Sequence, residues 1–175
     1  DALGSYDGAV VVMEPATGKI LAMVSKPDFD PNTISEDWDT LTADTNSDAV
    51  LLNRATQGLY PPGSTFKILT TLEYLNEHGT DEDYSDSCNG SFTVGKTTIH
   101  CHNNKSHGTQ TLKQGFANSC NSAYSSMGLD LDITQFSKLC DSLLFNTSLP
   151  TKFESSKSSF VLQSSDGDAS IMSTS

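Results

Sequence analysis

The stretch Tyr60–Lys67 reads YPPGSTFK and places a serine and a lysine three residues apart at the start of an apolar segment. Two prolines restrict the chain that approaches the serine, and Gly63 leaves open space above the hydroxyl. Because positions i and i+3 share a face of a helix, the Lys67 amine can lie beside the Ser64 oxygen. The dipole and free backbone N–H groups at a helix start also favour negative charge. The stretch therefore predicts a helix that begins with an activated serine.

The chemistry that this pattern permits is acyl transfer. A serine hydroxyl is a poor nucleophile at neutral pH unless a nearby base takes its proton. We expect burial and the positive end of the helix to lower the pKa of Lys67, which makes a neutral amine available as that base. Ser64 is therefore predicted to accept an acyl group. The alternative is a serine that only caps the helix beside a solvated lysine, because an S-x-x-K pattern is weak by itself.

Patterns on both sides of this stretch predict a domain of strands and helices. The segment GAVVVMEPATGKILAMVSKP (8–27) is predicted to be a hairpin that turns at residues 15–18. SFTVGKTTIHC (91–101) is predicted to be a second, smaller hairpin that turns at Gly95-Lys96. Between them, apolar residues at every third position predict a helix with a broad buried face, ending near Gly79: Phe66, Leu69, Leu72 and Leu75.

Two more helices are indicated by capping residues. Thr111 followed by Gln114 is a capping-box signature and predicts a short helix that ends near Asn118. Asp132 can cap a further helix with an apolar stripe. The acidic segment 28–48, with Trp38 as its main apolar anchor, is predicted to be a surface excursion. Since a lone hairpin is at best marginally stable, we expect further strands after Ser175 in the parent protein.

Size and charge limit the classes of partner. The 175 residues suffice for one domain with a real core, and two full domains are not expected. The net charge of -12 argues against nucleic acid or an anionic membrane surface, which are held mainly by clustered Lys and Arg. No apolar run approaches the roughly 20 residues of a membrane span. A small molecule, peptide or protein is therefore the expected partner.

Two motifs in order make the chain resemble a known family. Ser64-Thr65-Phe66-Lys67 is followed downstream by Ser119-Cys120-Asn121, within ANSCNSAY. This arrangement resembles the penicillin-binding protein transpeptidases, which share a fold with serine β-lactamases. The stretches NRATQGLYPPGSTFK and HGTQTL also resemble sequences typical of this family. The resemblance implies an α/β (α+β) fold with an antiparallel sheet and helices, of which residues 1–175 form the N-terminal part of a single transpeptidase domain.

The resemblance also implies roles for four residues. Ser64 would attack the carbonyl of a D-Ala-D-Ala stem peptide of peptidoglycan, and β-lactams would acylate the same oxygen. Lys67 would take the proton of Ser64, and Ser119 would relay a proton to the leaving amine. Asn121 would hydrogen-bond the substrate backbone and Lys67. No cofactor is implied. The alternative for Ser119 and Asn121 is a polar turn between helices.

One departure from the family limits this reading. No K-T-G motif occurs, and the nearest string, Lys96-Thr97-Thr98, precedes the Ser119 motif, so it receives no catalytic role. Without the strand that carries this motif, the 175 residues are expected to acylate weakly or not at all. Two other functions remain open: a β-lactam sensor or noncatalytic penicillin-binding module, and a serine β-lactamase. The β-lactamase function is disfavoured because Glu73-Tyr74-Leu75-Asn76 lies too close to Ser64 to be a β-lactamase E-x-x-L-N motif.

The cysteines and histidines allow two arrangements. Cys88 and Cys101 flank the small hairpin, so a disulfide between them is predicted. This needs an oxidising compartment, which a cell-wall enzyme outside the membrane has. A zinc site is the rival, but the spacing of the candidate ligands follows no standard pattern, so no metal is predicted: Cys88, His100, Cys101, His102 and His107. Cys120 and Cys140 are expected to be buried free thiols.

The resemblance finally implies a location. Proteins of this kind work outside the cytoplasmic membrane, held by an anchor that does not occur in this sequence. Other proteins of cell-wall synthesis are then expected partners of the full-length protein.

Overall fold

The computed structural model describes residues 3–43 and 49–161, which form two compact units. The first holds the described residues of Asp1–Tyr60 and Ser148–Ser158, and the second those of Pro61–Thr147 and Ser159–Ser175. None of the helices in the described ranges has both the length and the apolar character needed to span a membrane.

The first unit is built on the predicted hairpin. Strands β1 (Gly8–Glu14) and β2 (Lys19–Lys26) pair antiparallel, with a bulge between Val12 and Met13. β-branched residues favour these extended segments. The turn between the strands places Gly18 at a φ of 70°, a conformation that glycine adopts without steric cost. The sequence prediction of a hairpin with its turn at residues 15–18 is confirmed.

The acidic segment after this hairpin contains a helix that the sequence did not predict. Helix α1 spans Ile34–Ala43, with Glu36 and Asp37 in its first turn, where acidic side chains complement the helix dipole. None of its residues is buried, which agrees with the predicted surface position. Trp38 is 50% exposed, so the expectation that it anchors the segment is wrong. Residues 44–48 of the segment lie outside the described residues.

The second unit begins with the stretch that carries Ser64. A short 3-10 helix, Gly63–Phe66, leads directly into α2 (Lys67–His78), which ends at Gly79 with a φ of 73°. The predicted helix is therefore confirmed, but its buried face is different. The apolar residues at every third position include Leu72, which is 39% exposed. Steps of three residues fall about 60° short of a full turn, so such a stripe winds away from one face.

Three further helices follow α2 in the chain: α3 (Leu112–Ala117), α4 (Asn121–Asp130) and α5 (Ile133–Ser142). The predicted capping box of α3 is formed, and the Asp132 side chain accepts hydrogen bonds from the first turn of α5. Helix α4 was not predicted. Its buried residues cover several faces and include many small side chains, so they show no helical period: Ser122, Ala123, Tyr124, Ser125, Met127 and Gly128.

Four short strands complete the second unit. The predicted small hairpin is confirmed as β4 (Ser91–Val94) and β5 (Thr97–His100), with its turn at Gly95-Lys96. A second pair, β3 (Asp86–Cys88) and β6 (Gly108–Gln110), encloses this hairpin in the chain. The strands of this outer pair have three residues each and carry no alternating pattern, which explains why the sequence did not predict them.

The core of the second unit is aromatic. Phe66, at the end of the 3-10 helix that contains Ser64, packs at a tilt on Phe160 with 4.9 Å between ring centroids. Phe136 of α5 is 1% exposed and lies 5.9 Å from Phe66. The first turn of α2 is therefore held by the packing of three phenylalanines. The other buried members of this cluster are Tyr74, Leu112, Tyr124, Met127, Leu131 and Cys140.

Replacing Phe136 by Ala is expected to lower the free energy of unfolding by about 3–5 kcal/mol, because it leaves a cavity among close-packed rings. Urea denaturation followed by circular dichroism measures the change. Phe116→Ala is the matched control, since Phe116 is 45% exposed and its loss should cost less than half as much. Equal losses in both variants would contradict the assigned core.

Candidate active site

Ser64 lies inside the first 3-10 turn of the second unit. Pro62 has helical backbone angles at the N-cap position, and Gly63 has a φ of 54°, in the left-handed region that favours glycine. A Cβ placed on Gly63 would meet no atom within 4 Å, so the space beside the Gly63 backbone is open. Pro62 therefore holds the cap position, and the hydroxyl of Ser64 instead contacts two side chains, Lys67 and Ser119. The alternative that Ser64 merely caps the helix does not describe this geometry.

Lys67 is buried, and its amine is the centre of the site. Only 3% of the residue is exposed. Its Nζ lies 3.4 Å from Ser64 Oγ, 3.1 Å from Ser119 Oγ and 2.9 Å from the Ser119 carbonyl oxygen. A fourth oxygen, Asn121 Oδ1, is 2.6 Å away. An ammonium group has three hydrogens, so four oxygens saturate it and hold the side chain in one position.

The environment of Lys67 favours a neutral amine. Burial lowers the pKa of Lys67 below the ordinary lysine value, and the charges of Cys120 and Cys101 oppose this shift only in part. Tyr124 adds to the enclosure, with its ring centroid 5.4 Å from Lys67 Nζ. A larger fraction of neutral amine is therefore present near neutral pH than for a solvated lysine. A neutral amine one turn from a hydroxyl can accept that hydroxyl's proton.

Ser119 reaches this amine from the connection between α3 and α4. Its φ of 48° is unusual for a residue other than glycine. Hydrogen bonds hold this conformation, with Ser119 N–H donating to the Phe116 carbonyl and Cys120 N–H donating to the Gly115 carbonyl. As a result the Ser119 hydroxyl donates to Ser64 Oγ over 2.9 Å. The second motif of the sequence therefore touches the first.

Asn121 is the first residue of α4 and joins two parts of the site. Its Oδ1 accepts a hydrogen bond from Lys67, and its Nδ2 donates to the carbonyl of His100 at the end of β5 over 2.9 Å. The structure thus brings together all four residues singled out in the sequence: Ser64, Lys67, Ser119 and Asn121. The polar-turn alternative describes where Ser119 and Asn121 lie but does not account for these contacts.

A cleft of about 690 Å³ opens beside these residues. Its volume is in the range of small-molecule sites. Three residues on its wall were missed as site residues by the sequence analysis: Lys105, Asn118 and Ala117. Nothing in their local pattern marks them, because they reach the cleft from loops and from the end of α3. His100, His102 and His107 also line it. The cleft therefore carries cationic and polar groups in a protein of net charge -12.

The predicted disulfide is not formed in the structure. Cys88 Sγ and Cys101 Sγ lie 3.6 Å apart, whereas bonded sulfurs are separated by about 2.05 Å. The proximity of the two residues was foreseen from the hairpin between them. A third thiol lies beside this pair, with Cys120 Sγ 3.7 Å from Cys101 Sγ. Cys140 is a buried free thiol, as predicted, and Cys120 is buried and forms no disulfide.

Comparison with known proteins supplies the family. A model of the penicillin-binding protein transpeptidase domain matches residues 8–175. The peptidoglycan D,D-transpeptidase PbpA of Mycolicibacterium smegmatis is 35% identical over 159 residues, which cover 84% of this chain and 32% of that protein. The chain therefore spans about a third of the length of this relative.

Solved structures agree with this match. The penicillin G acyl-enzyme complex of penicillin-binding protein A from M. tuberculosis superimposes with a TM-score of 0.84 at 27% identity, covering 96% of this chain and 41% of that one. A complex between PBP2 and MreC from Helicobacter pylori gives a TM-score of 0.72 at 27% identity, covering 84% of this chain and 29% of that one. The predicted α/β (α+β) transpeptidase-like fold is confirmed. With both motifs in place and residues 8–175 matched by the family model, this chain belongs to the penicillin-binding protein transpeptidase domain family.

Proposed function

We propose that this chain carries the nucleophile of a peptidoglycan D,D-transpeptidase, which joins stem peptides through an acyl-serine intermediate. One observation carries the proposal: the buried Lys67 amine contacts Ser64, Ser119 and Asn121 at once. The relatives named as peptidoglycan D,D-transpeptidases support it. Activity, substrate and partners of the whole protein are all part of this proposal.

In the acylation step, Ser64 Oγ attacks the carbonyl carbon of the penultimate D-Ala. A C–O bond forms while the neutral Lys67 amine takes the hydroxyl proton. Ser119, which lies within hydrogen-bond distance of both Lys67 and Ser64, then gives its hydroxyl proton to the leaving nitrogen and takes a proton back from Lys67. The C–N bond breaks and D-alanine leaves, and the amine of a second stem peptide takes up the acyl group. The backbone N–H of Ser64 would stabilise the oxyanion together with a second N–H from the strand that follows the K-T-G motif in the family's pattern.

The same geometry suits β-lactams, whose strained amide replaces the peptide. Opening of the ring leaves the drug attached to Ser64 as an ester. Hydrolysis of that ester by a serine β-lactamase of the commonest type requires a glutamate that activates water. Glu73, the acid of the Glu73-Tyr74-Leu75-Asn76 string, is 3% exposed and is not among the residues that line the cleft. A penicillin target is therefore the better reading.

The Lys96-Thr97-Thr98 string has no part in this proposal. It lies at the turn of the β4–β5 hairpin, and none of its residues lines the cleft. A carboxylate-binding K-T-G strand belongs to the family's pattern, and we expect the full-length protein to supply it. We further propose that the domain works outside the cytoplasmic membrane beside other proteins of cell-wall synthesis, as the solved PBP2–MreC complex illustrates for that relative.

Release of D-alanine tests the proposal. The full-length protein is incubated with a peptide that ends in D-Ala-D-Ala and with an acceptor amine, and free D-alanine and joined peptide are quantified. We expect one D-alanine for each peptide joined, none from a matched peptide ending in L-Ala, and none after treatment with penicillin. A stable penicillin adduct without D-alanine release would instead indicate a sensor. Rapid turnover of a chromogenic cephalosporin would indicate a β-lactamase.

A further inference from the structure

Four metal-ligating side chains meet next to the catalytic residues. We call them the Cys3His cluster, which comprises Cys88, Cys101, His107 and Cys120. Their donor atoms all lie within 4.8 Å of one another, the three cysteines are buried, and His107 is half-buried. They come from four places in the second unit: the end of β3, the residue after β5, the residue before β6, and the N-cap of α4.

Three of the six distances between donor atoms match a tetrahedral metal site, and all six lie within 4.8 Å. Cys88 Sγ lies 3.6 Å from Cys101 Sγ, and Cys101 Sγ lies 3.7 Å from Cys120 Sγ. His107 Nδ1 is 3.5 Å from Cys88 Sγ. In a tetrahedron with Zn–S bonds of about 2.3 Å, neighbouring sulfurs are separated by about 3.8 Å, and a nitrogen ligand lies slightly closer. The side chains are therefore already spaced for one ion at their centre.

We propose that the Cys3His cluster is a structural zinc site. Three thiolates and one imidazole are a donor set of structural zinc sites, which are closed because all four positions are filled by protein. Soft thiolate ligands also select zinc over magnesium or calcium. Since no position is left for water, the metal would stabilise the fold and would take no part in acyl transfer.

The backbone around the cluster supports this assignment. Two sulfurs accept backbone hydrogen bonds, Cys88 from Gly90 N–H over 3.3 Å and Cys120 from Ala123 N–H over 3.4 Å. Such outer-shell donors orient metal ligands. Gly90 also allows a close approach, since a Cβ there would lie 2.4 Å from the Asn104 carbonyl oxygen. This contact brings the loop that carries His107 against the Cys88 turn.

The proposed site differs from the sequence prediction of no metal. Standard zinc motifs place two ligands close together on one turn or knuckle, whereas here each ligand comes from a different element. Cys120 was not counted among the zinc candidates, because it lies inside the Ser119 motif. His100 and His102, which were counted, line the cleft and are not members of the four-residue group. The site therefore exists only through the pairing of β3 with β6 and the docking of α4.

Its position makes the metal a support for the catalytic residues. Cys120 lies between Ser119 and Asn121 in the chain, and Cys101 follows His100, whose carbonyl accepts the Asn121 hydrogen bond. An ion at the cluster would tie these segments to two short strand pairs, which are marginal elements by themselves. Loss of zinc is therefore expected to displace Ser119 and Asn121 and to slow acylation of Ser64.

Zinc content tests the proposal independently of activity. The full-length protein is purified without chelator, and metal is measured by inductively coupled plasma and native mass spectrometry. We expect about one zinc per chain, and less than about 0.1 in Cys101→Ser and His107→Ala, since removing a ligand should cost more than the roughly 10–100-fold loss of affinity caused by removing an outer-shell partner. Cys140→Ser is the matched control, because Cys140 is equally buried but lies on α5, and it should retain the metal.

Two results would overturn the proposal. One is a protein without zinc that has two fewer titratable thiols after denaturation, which would establish a disulfide within the cluster. The other is equal zinc content in Cys101→Ser and in the unaltered protein. If a ligand variant does not fold, cobalt exchange into the unaltered protein decides the question. Thiolate-to-cobalt charge transfer and intense tetrahedral bands are expected, whereas a weak octahedral spectrum would contradict the assignment. Zinc content, thiol count and the cobalt spectrum do not depend on D-alanine release, so failure of the proposed function would not change them.

Discussion

Replacing Ser64 by Ala is expected to abolish covalent labelling of the full-length protein by penicillin, with the acylation rate reduced by at least about 10⁴-fold. The variant loses the Ser64 hydroxyl oxygen, which contacts both Lys67 and Ser119 and belongs to a residue that lines the cleft. Because the nucleophile forms the bond, no other interaction can replace it. Intact-mass spectrometry at increasing times after penicillin addition measures the fraction of protein carrying the adduct.

A serine on an exposed strand provides the matched control for this variant. Ser91→Ala removes the same atom from β4, where the side chain is exposed, and should be labelled at the rate of the unaltered protein. Peptide mapping of the adduct locates the modified residue. Undiminished labelling of Ser64→Ala would remove Ser64 from its role, and mapping to Ser119, whose hydroxyl is 2.9 Å away, would assign the nucleophile there.

Replacing Lys67 by Met is expected to slow acylation by about 10²–10⁴-fold, the range contributed by a positioned general base. Methionine keeps an unbranched side chain in the buried position but cannot accept a proton. Lys113→Met is the matched control, because Lys113 is exposed on α3. Stopped-flow acylation by a chromogenic β-lactam gives the rates, and circular dichroism checks that both variants are folded. A rate within a few-fold of the unaltered protein would show that another group takes the proton.

The pH dependence of the same rates identifies the base. Burial lowers the pKa of Lys67, so the neutral amine becomes abundant at a lower pH than for a solvated lysine. The acylation rate of the unaltered protein should therefore rise with pH up to this lowered pKa and then level off. In Lys67→Met this rise should be absent. A rise of the same shape in the variant would assign the titration to a different residue.

Local patterns predicted much of the fold, and their failures have a common cause. The two hairpins, the start and end of α2 and the capping box of α3 depend on residues a few positions apart, so backbone geometry and turn chemistry suffice for them. The buried face of α2 and the whole of α4 depend on which neighbours pack against them. Helix α4 is buried on several sides, and a helix enclosed in this way has no amphipathic period to detect.

The cysteines show the same division within the site. Spacing around the small hairpin correctly placed Cys88 near Cys101, but the disulfide prediction treated them as an isolated pair. Cys120 and His107 join them only because α4 packs beside the hairpin and β6 pairs with β3. The correction from a two-residue to a four-residue arrangement is therefore a consequence of tertiary contacts.

The sequence by itself determined that a serine and a lysine lie one turn apart at the start of a helix. A three-residue spacing sets that proximity in any helix. Only the tertiary structure decided that Ser119 and Asn121 complete the shell of that lysine and that four dispersed ligands surround one point. The reason is physical: local geometry follows from backbone dihedral angles over a few residues. Contacts between segments more than 50 residues apart depend on how the whole chain packs, as the separation of 54 between Lys67 and Asn121 illustrates.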